Sequence, residues 1–171
     1  MLECVVNISE GRDRARIDRI AAAAGSNKAM IYAYFGSKEG LFDAVGEALI
    51  DWHVQDVPMD ALNLPEYAAR VFDRYQEHPE VMRLVNWGRL ERGDEGLRSP
   101  KLVESVRRKI DAISQAQRDG AVSDRFSAPV LLELILALAE LRPNIAEGAP
   151  EAPARAARRQ AIKEAVARLV R

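Results

Sequence analysis

The sequence predicts an all-α fold, with a small helical head at residues 1–54 and a larger helical body at residues 55–171. Glycines and prolines divide the chain into segments, most of which repeat apolar residues every three or four positions, as helices do. No convincing run alternates apolar and polar residues as a half-buried strand does. Hydrophobic residues make up 48% and charged residues 30% of the 171 residues. This composition is typical of a folded protein with one or two domains.

The head is predicted to contain three helices, two of which are joined by a tight turn. Residues 17–24 form a short helix that ends at Gly25, a residue type that readily adopts the left-handed conformation found after helices. Ser26 or Asn27 can then cap a helix that runs to about Phe35. This arrangement is a helix-turn-helix.

A longer helix, residues 38–54, follows a stop and cap signal at Gly36 and Ser37. In the body, periodicity and proline start signals predict helices at 65–77, 79–92, 100–119, 128–141 and 154–170. In the third of these, four apolar residues form a core stripe: Leu102, Val106, Ile110 and Ile113. Four charged residues of the same helix are expected in solvent: Lys101, Arg107, Arg108 and Asp111.

The last two predicted helices are suited to subunit contact. Residues 128–141 are apolar around nearly the whole helix, so that helix must be covered on several sides. The final helix carries Ala157, Ala161 and Ala165 near one stripe, and such small residues permit close packing. A homodimer formed through these two helices is therefore predicted.

A DNA contact would have to come from a local basic patch, because the formal net charge is -1. Arg12, Arg14, Arg16 and Arg19 lie close together in the sequence, although Asp13 and Asp18 interrupt them. The first three arginines can either contact phosphates or form a solvated loop.

The predicted helix after Gly25 offers a face that can enter the major groove of DNA. Lys28, Tyr32 and Tyr34 are on this helix, and the preceding helix does not cover them. Lys28 can donate to guanine edges or phosphate, while Ala29 and Met30 can contact thymine methyl groups.

Residues 16–45 resemble the DNA-binding head of the TetR family of repressors. The resemblance rests on paired apolar residues before the turn and on an ordered series after it: Ile17, Ile20, Gly25, Ile31, Tyr32, Phe35, Gly36, Ser37, Lys38, Glu39, Leu41 and Phe42. An ordered set of this length is more specific than a short motif. Residues 1–10 depart from the pattern, because they predict a first helix that is short or malformed.

The resemblance implies roles for individual residues of the head. Those expected to read bases are Lys28, Ala29 and Tyr32, and Met30 adds an apolar contact. Those expected to meet phosphates are Ser26, Asn27, Tyr34 and Lys38. The basic patch, independently of the resemblance, adds Arg16 as a candidate DNA contact. Tyr32 has an alternative role in packing against Phe35 or the next helix. Four residues are expected in the core of the head: Ile17, Ile20, Ile31 and Phe35.

The body is expected to enclose a pocket for a small, mainly apolar effector that releases DNA. Its candidate ligand contacts are large or polar residues of the middle helices: Tyr67, Phe72, Tyr75, Trp87 and Arg89. The alternative for each is a place in the core.

The sequence favours a cytoplasmic transcriptional regulator over an enzyme. It has no evident nucleophile–base pair, metal-ligand spacing or glycine-rich phosphate loop, so we expect neither a metal nor a cofactor. No apolar run is long enough to cross a bilayer, and we expect no membrane association. The alternative function is a helical small-molecule-binding or interaction protein whose head is impaired by the short first helix.

Overall fold

The computed structural model describes residues 21–22, 25–37, 40–41, 43–46, 48, 57–79, 82, 86, 90, 100–141 and 154–171. Its longer helices are α1 (Lys28–Phe35), α2 (Leu64–Glu77), α3 (Pro100–Arg118), α4 (Ala128–Ala139) and α5 (Arg155–Leu169). A 3₁₀ turn, Ala61–Asn63, leads into α2. Every regular element within these ranges is helical, which confirms the predicted all-α class.

The chain divides into two compact units. Unit 1 comprises residues 1–53 and 78–102, and unit 2 comprises residues 54–77 and 103–171. One junction lies next to the predicted boundary between residues 54 and 55. The assignment of the whole segment 55–171 to one domain stays a prediction.

Unit 1 contains the predicted turn and its following helix. Gly25 has a φ of 60°, a value that glycine adopts without the steric penalty of a side chain. The amide of Ser26 donates to the carbonyl of Ala21 at 2.8 Å, which closes the turn. Ala21, Ile31 and Leu41 are buried together. The predicted core position of Ile31 is therefore confirmed.

Both ends of α1 are capped by local interactions. The side-chain oxygen of Asn27 accepts from the amide of Met30 at 2.8 Å, as an N-cap does. At the other end, Gly36 has a φ of 73° and donates its amide to the carbonyl of Tyr32. Ser37 Oγ then accepts from the amide of Gly40 at 3.0 Å, so it starts the next helical segment.

Unit 2 is a helical body with one described apolar core. α2 packs against both α4 and α5, and α4 also packs against α5. The largest fully buried side chains of this core come from all four helices: Tyr67, Phe72, Leu64, Ile113, Leu131, Ile135 and Ile162. Their burial supplies the main favourable term for holding the helices together.

A charge ladder joins α2 to α5. It consists of Glu66, Asp73 and Glu77 on α2, and of Arg155, Arg159 and Lys163 on α5. Toward the C-terminus of α5, its basic residues pair with acidic residues that lie progressively nearer the N-terminus of α2. The two helices are therefore antiparallel. Its distances range from 2.6 Å between Arg159 and Glu66 to 3.1 Å at Arg155.

Candidate functional site

The outward face of α1 is small and apolar at its centre. Ile31 points into the core of unit 1, with 6% of its surface exposed. The helical period places Ala29 and Ala33 on the opposite face, and both are exposed. Met30 and Tyr32 flank these alanines with 49% and 38% of their surfaces exposed. Such a face can approach base edges closely while longer side chains reach to either side.

The predicted DNA contacts on this helix are positioned differently. Tyr34 is 79% exposed, Asn27 is exposed, and both Ser26 and Lys28 are half-buried. The oxygen of Asn27 is occupied by the cap, so the NH₂ group of this side chain is the one that could donate to a phosphate. Arg16 and Lys38 lie outside the described residues.

The predicted core position of Phe35 is wrong. Its surface is 38% exposed, whereas Ile31 is buried. The physical reason is its place as the last residue of α1, where Gly36 turns the chain away. Ile17 and Ile20 lie outside the described residues. Ala33, which the sequence prediction did not include, shares the outward face, and its position opposite Ile31 on the helical period was the available signal.

The predicted ligand contacts in unit 2 lie in or against its core. Tyr67 and Phe72 have 1% and 0% of their surfaces exposed, and Tyr75 packs against the same cluster. Burial raises the pKa of Tyr67 to about 12. The Arg158 guanidinium lies 5.9 Å from the centre of the Phe72 ring, within reach of a cation–π contact. Trp87 and Arg89 lie outside the described residues.

A cleft in unit 2 is lined by other residues. It has a volume of about 220 Å³, and it runs between the segment Val57, Pro58 and Met59 and the α3 residues Ser105, Arg108, Lys109 and Ala112. Lys109 occupies a helical position between the apolar residues Val106 and Ile113. A charged residue within an apolar stripe was the sequence signal for this cleft, and it was missed.

Exposed apolar residues occur on both α4 and α5 of unit 2. On and just after α4, Val130 and Leu141 are 43% and 41% exposed, and Ala137 is also exposed. On α5, Ala157 and Ala161 are exposed one turn apart. We call these five residues the outer apolar face.

Within the described ranges, no helix combines the length and apolar character required to cross a membrane. The same residues contain no group of three or more His, Cys, Asp or Glu side chains arranged to hold a metal ion.

Two family models match the chain, one within the predicted head and the other within the predicted body. The description "Bacterial regulatory proteins, tetR family" matches residues 8–45. The description "Tetracyclin repressor-like, C-terminal domain" matches residues 63–168. The second match alone covers more than half of the chain.

Two repressors and two solved structures are similar to the chain. The HTH-type transcriptional repressor SCO4008 of Streptomyces coelicolor is 39% identical over 127 residues, which are 73% of this chain and 66% of the repressor. The HTH-type transcriptional repressor NicS of Pseudomonas putida is 37% identical over 100 residues, which are 54% of this chain and 47% of NicS. The chain thus spans less than two thirds of either repressor.

The solved structures cover nearly the whole chain. SCO4942 of S. coelicolor, described as a transcriptional regulator, has a TM-score of 0.78 and 31% identity, covering 98% of this chain and 96% of its own. A protein from Rhodococcus sp., described as a TetR-family regulator, has a TM-score of 0.60 and 18% identity, covering 99% and 96%. The second likeness concerns the fold alone. With both family models matched in sequence, the chain belongs to the TetR family of bacterial regulatory proteins.

Proposed function

We propose that this protein is a transcriptional repressor that binds palindromic operator DNA as a homodimer and releases it when a small effector binds. The observation that carries the proposal is the outward face of α1, which presents Ala29, Ala33 and Tyr32 on a helix capped at both ends. A rigid helix with a narrow face suits the major groove.

The positions of the exposed residues on α1 support two kinds of DNA contact, one to bases and one to phosphates. Tyr32 and Lys28 lie one turn apart and share a side of the helix, where they can reach base edges. Asn27 and Tyr34 are exposed at its two ends, where they can donate to phosphates without reading sequence. Lys38 adds a phosphate contact in this proposal.

The outer apolar face supports the homodimer. Val130, Ala137 and Leu141 are exposed in a single subunit, although apolar helix surfaces of this kind are usually covered. Ala157 and Ala161 of α5 are also exposed, and their small side chains would allow a second copy to approach closely. A twofold axis would then present two copies of α1 to successive major grooves.

Effector release requires a difference in affinity between two conformations. A ligand that binds equally well to the DNA-bound and the free conformation does not change the ratio of their populations. The cleft in unit 2 supports the proposal because its segment Val57–Met59 follows closely after residue 53, where the chain leaves unit 1.

Operator selection from random duplexes, followed by two substitutions, tests the head. We expect a palindromic site, and Tyr32→Ala should weaken that site by about 1 to 3 kcal/mol while affecting unrelated duplexes much less. Lys38→Gln should weaken all duplexes similarly and lower the salt slope by about one. Tyr32→Phe is the matched control, because it keeps the ring. Failure of the parent protein to bind any duplex at low salt would contradict the proposal.

Light scattering of the full chain tests the dimer. The parent should have the mass of a dimer, and Val130→Glu should produce a folded monomer because the new charge would be buried only between subunits. Leu62→Glu is the control, since Leu62 is 77% exposed and lies outside the outer apolar face. A monomeric parent at micromolar concentration would count against this interface.

A further inference from the structure

The cleft in unit 2 has one positively charged wall and one apolar wall. Arg108 and Lys109 belong to α3, while Val57 and Met59 lie across from them. Among the described residues that line the cleft, none is acidic. A ligand that matches both walls must carry a negative group and an apolar part.

Lys109 has no acidic partner among the described residues. Its ammonium lies 5.6 Å from the centre of the Tyr67 ring, and this is the contact that the structure gives it. The side chain is half-buried, and burial lowers its pKa, with a further lowering from the positive charge of Arg108. A desolvated ammonium facing a ring and a second cation lacks the counterion that would offset its desolvation.

One further arginine, Arg70, adds positive charge near the cleft, and the charge of Arg108 is only weakly offset. Arg70 donates from Nη2 to the carbonyl of Pro58 at 3.1 Å, so it is attached to the apolar wall. Its Nε is buried and has no hydrogen-bond partner in the described part of the chain. Arg108 has a carboxylate neighbour in Glu104, but the pair is 3.6 Å apart and its side chains are 68% and 67% exposed. Exposed pairs of this kind offset little charge.

We propose that the cleft binds a small organic acid, with its carboxylate against Lys109 and Arg108 and its apolar part against Val57 and Met59. The volume of about 220 Å³ limits the size of this acid. A dry cavity of about 150 Å³ holds benzene, so an acid on the order of ten non-hydrogen atoms fits. This inference rests on the proposed function, because it assigns the chemical class of the effector.

Binding of matched acids and amides to the full chain, without DNA, tests this assignment. The probes are benzoate, phenylacetate and hexanoate, each paired with its neutral amide, and the readouts are calorimetry and melting temperature. At least one acid should bind and raise the melting temperature, while its amide should not. Equal binding of acids and amides, or no binding of any acid, would overturn the inference.

Substitutions at neighbouring positions of α3 localise the site. Lys109→Met should weaken acid binding by about tenfold to a hundredfold, which is the usual range for losing a hydrogen bond to a charged group. Lys109→Arg should retain much of the affinity because it keeps the charge. Arg107→Met is the control, since Arg107 is exposed and does not line the cleft. Unchanged binding by Lys109→Met would also overturn the inference.

Operator binding measured on the same protein samples separates this inference from the proposed function. Intact operator binding without any discrimination between acid and amide would reject the acid site alone. Discrimination that depends on Lys109, in a protein that binds no duplex, would support the acid site and reject the proposed repressor.

Discussion

Arg159→Met in the charge ladder should destabilise unit 2 by about 1 to 2 kcal/mol. Arg159 donates from Nη2 to Glu66 at 2.6 Å and from Nε to Asp73 at 2.7 Å. The three side chains are 27% to 32% exposed, so each contact should be worth about 1 kcal/mol, at the upper end of surface ion pairs. Methionine keeps most of the apolar stem and therefore limits the loss of packing.

The remaining members of the ladder prevent a larger loss. Lys163 still contacts Glu66 at 2.7 Å, and Arg155 still contacts Asp73 at 3.1 Å. Neither carboxylate is therefore left without a cation in the variant. This is why the expected loss stays below the 3 to 5 kcal/mol that is typical, as an order of magnitude, of breaking a fully buried pair.

Urea unfolding at neutral pH measures the change, with Arg168→Met as the matched control on the same helix. Arg168 is 3.8 Å from Glu164, and their side chains are 74% and 52% exposed. The control should change stability by less than about 0.5 kcal/mol. With a urea dependence of roughly 2 kcal/mol/M, Arg159→Met should lower the midpoint by about 0.5 to 1 M. Equal shifts from the two substitutions would refute the assigned strength of the ladder.

Acid titration provides a second measurement of the same ladder. Hydrogen bonds from Lys163, and then from Arg159, lower the pKa of Glu66 below its ordinary value of 4.5. A carboxylate whose pKa is lowered by folding stabilises the fold above its unfolded pKa, and it loses this effect as the pH falls through the folded value. The stability difference between the parent and Glu66→Gln should therefore shrink below pH 4.5. A difference that stays constant throughout that acid range would contradict this reasoning.

Three further substitutions test the packing and caps. Gly40→Ala should destabilise unit 1 by about 1 to 3 kcal/mol, because the added methyl would overlap the Phe35 carbonyl oxygen, and faster amide exchange in α1 would reveal it. Asn27→Ala removes the bond to Met30 and should cost about 1 kcal/mol; unchanged exchange at that amide would contradict it. Phe72→Ala should cost about 3 to 5 kcal/mol in urea unfolding, since this ring is 0% exposed; a loss below about 1 kcal/mol would show that the core collapses around the gap.

Helix bounds were largely predictable because their signals are local. The helix predicted at 65–77 is Leu64–Glu77, and the one predicted at 100–119 is Pro100–Arg118. The two at 128–141 and 154–170 are Ala128–Ala139 and Arg155–Leu169. Prolines at the starts, capping residues and apolar periodicity all act within a few positions along the chain.

The surroundings of individual side chains were less predictable, because they depend on residues far away in sequence. Periodicity places Tyr67 and Phe72 on an apolar face, but it does not distinguish a core from the wall of a pocket. The sequence shows that Lys109 interrupts an apolar stripe, but its position 5.6 Å from the Tyr67 ring depends on the packing of α2 against α3. Phe35 similarly matches the apolar pattern, while its exposure depends on how the chain leaves α1 at Gly36.

The charge ladder also determines how far α5 may slide along α2. A slip of one helical turn, about 5.4 Å, would separate an end member of the ladder from its partner. The side chains of the ladder thus determine the position of α5 along α2, and the length of the connection at residues 142–153 is not required to do so. Natural relatives could lengthen that connection by a few residues at a closure cost of only about 0.2 kcal/mol while keeping the same helix pairing.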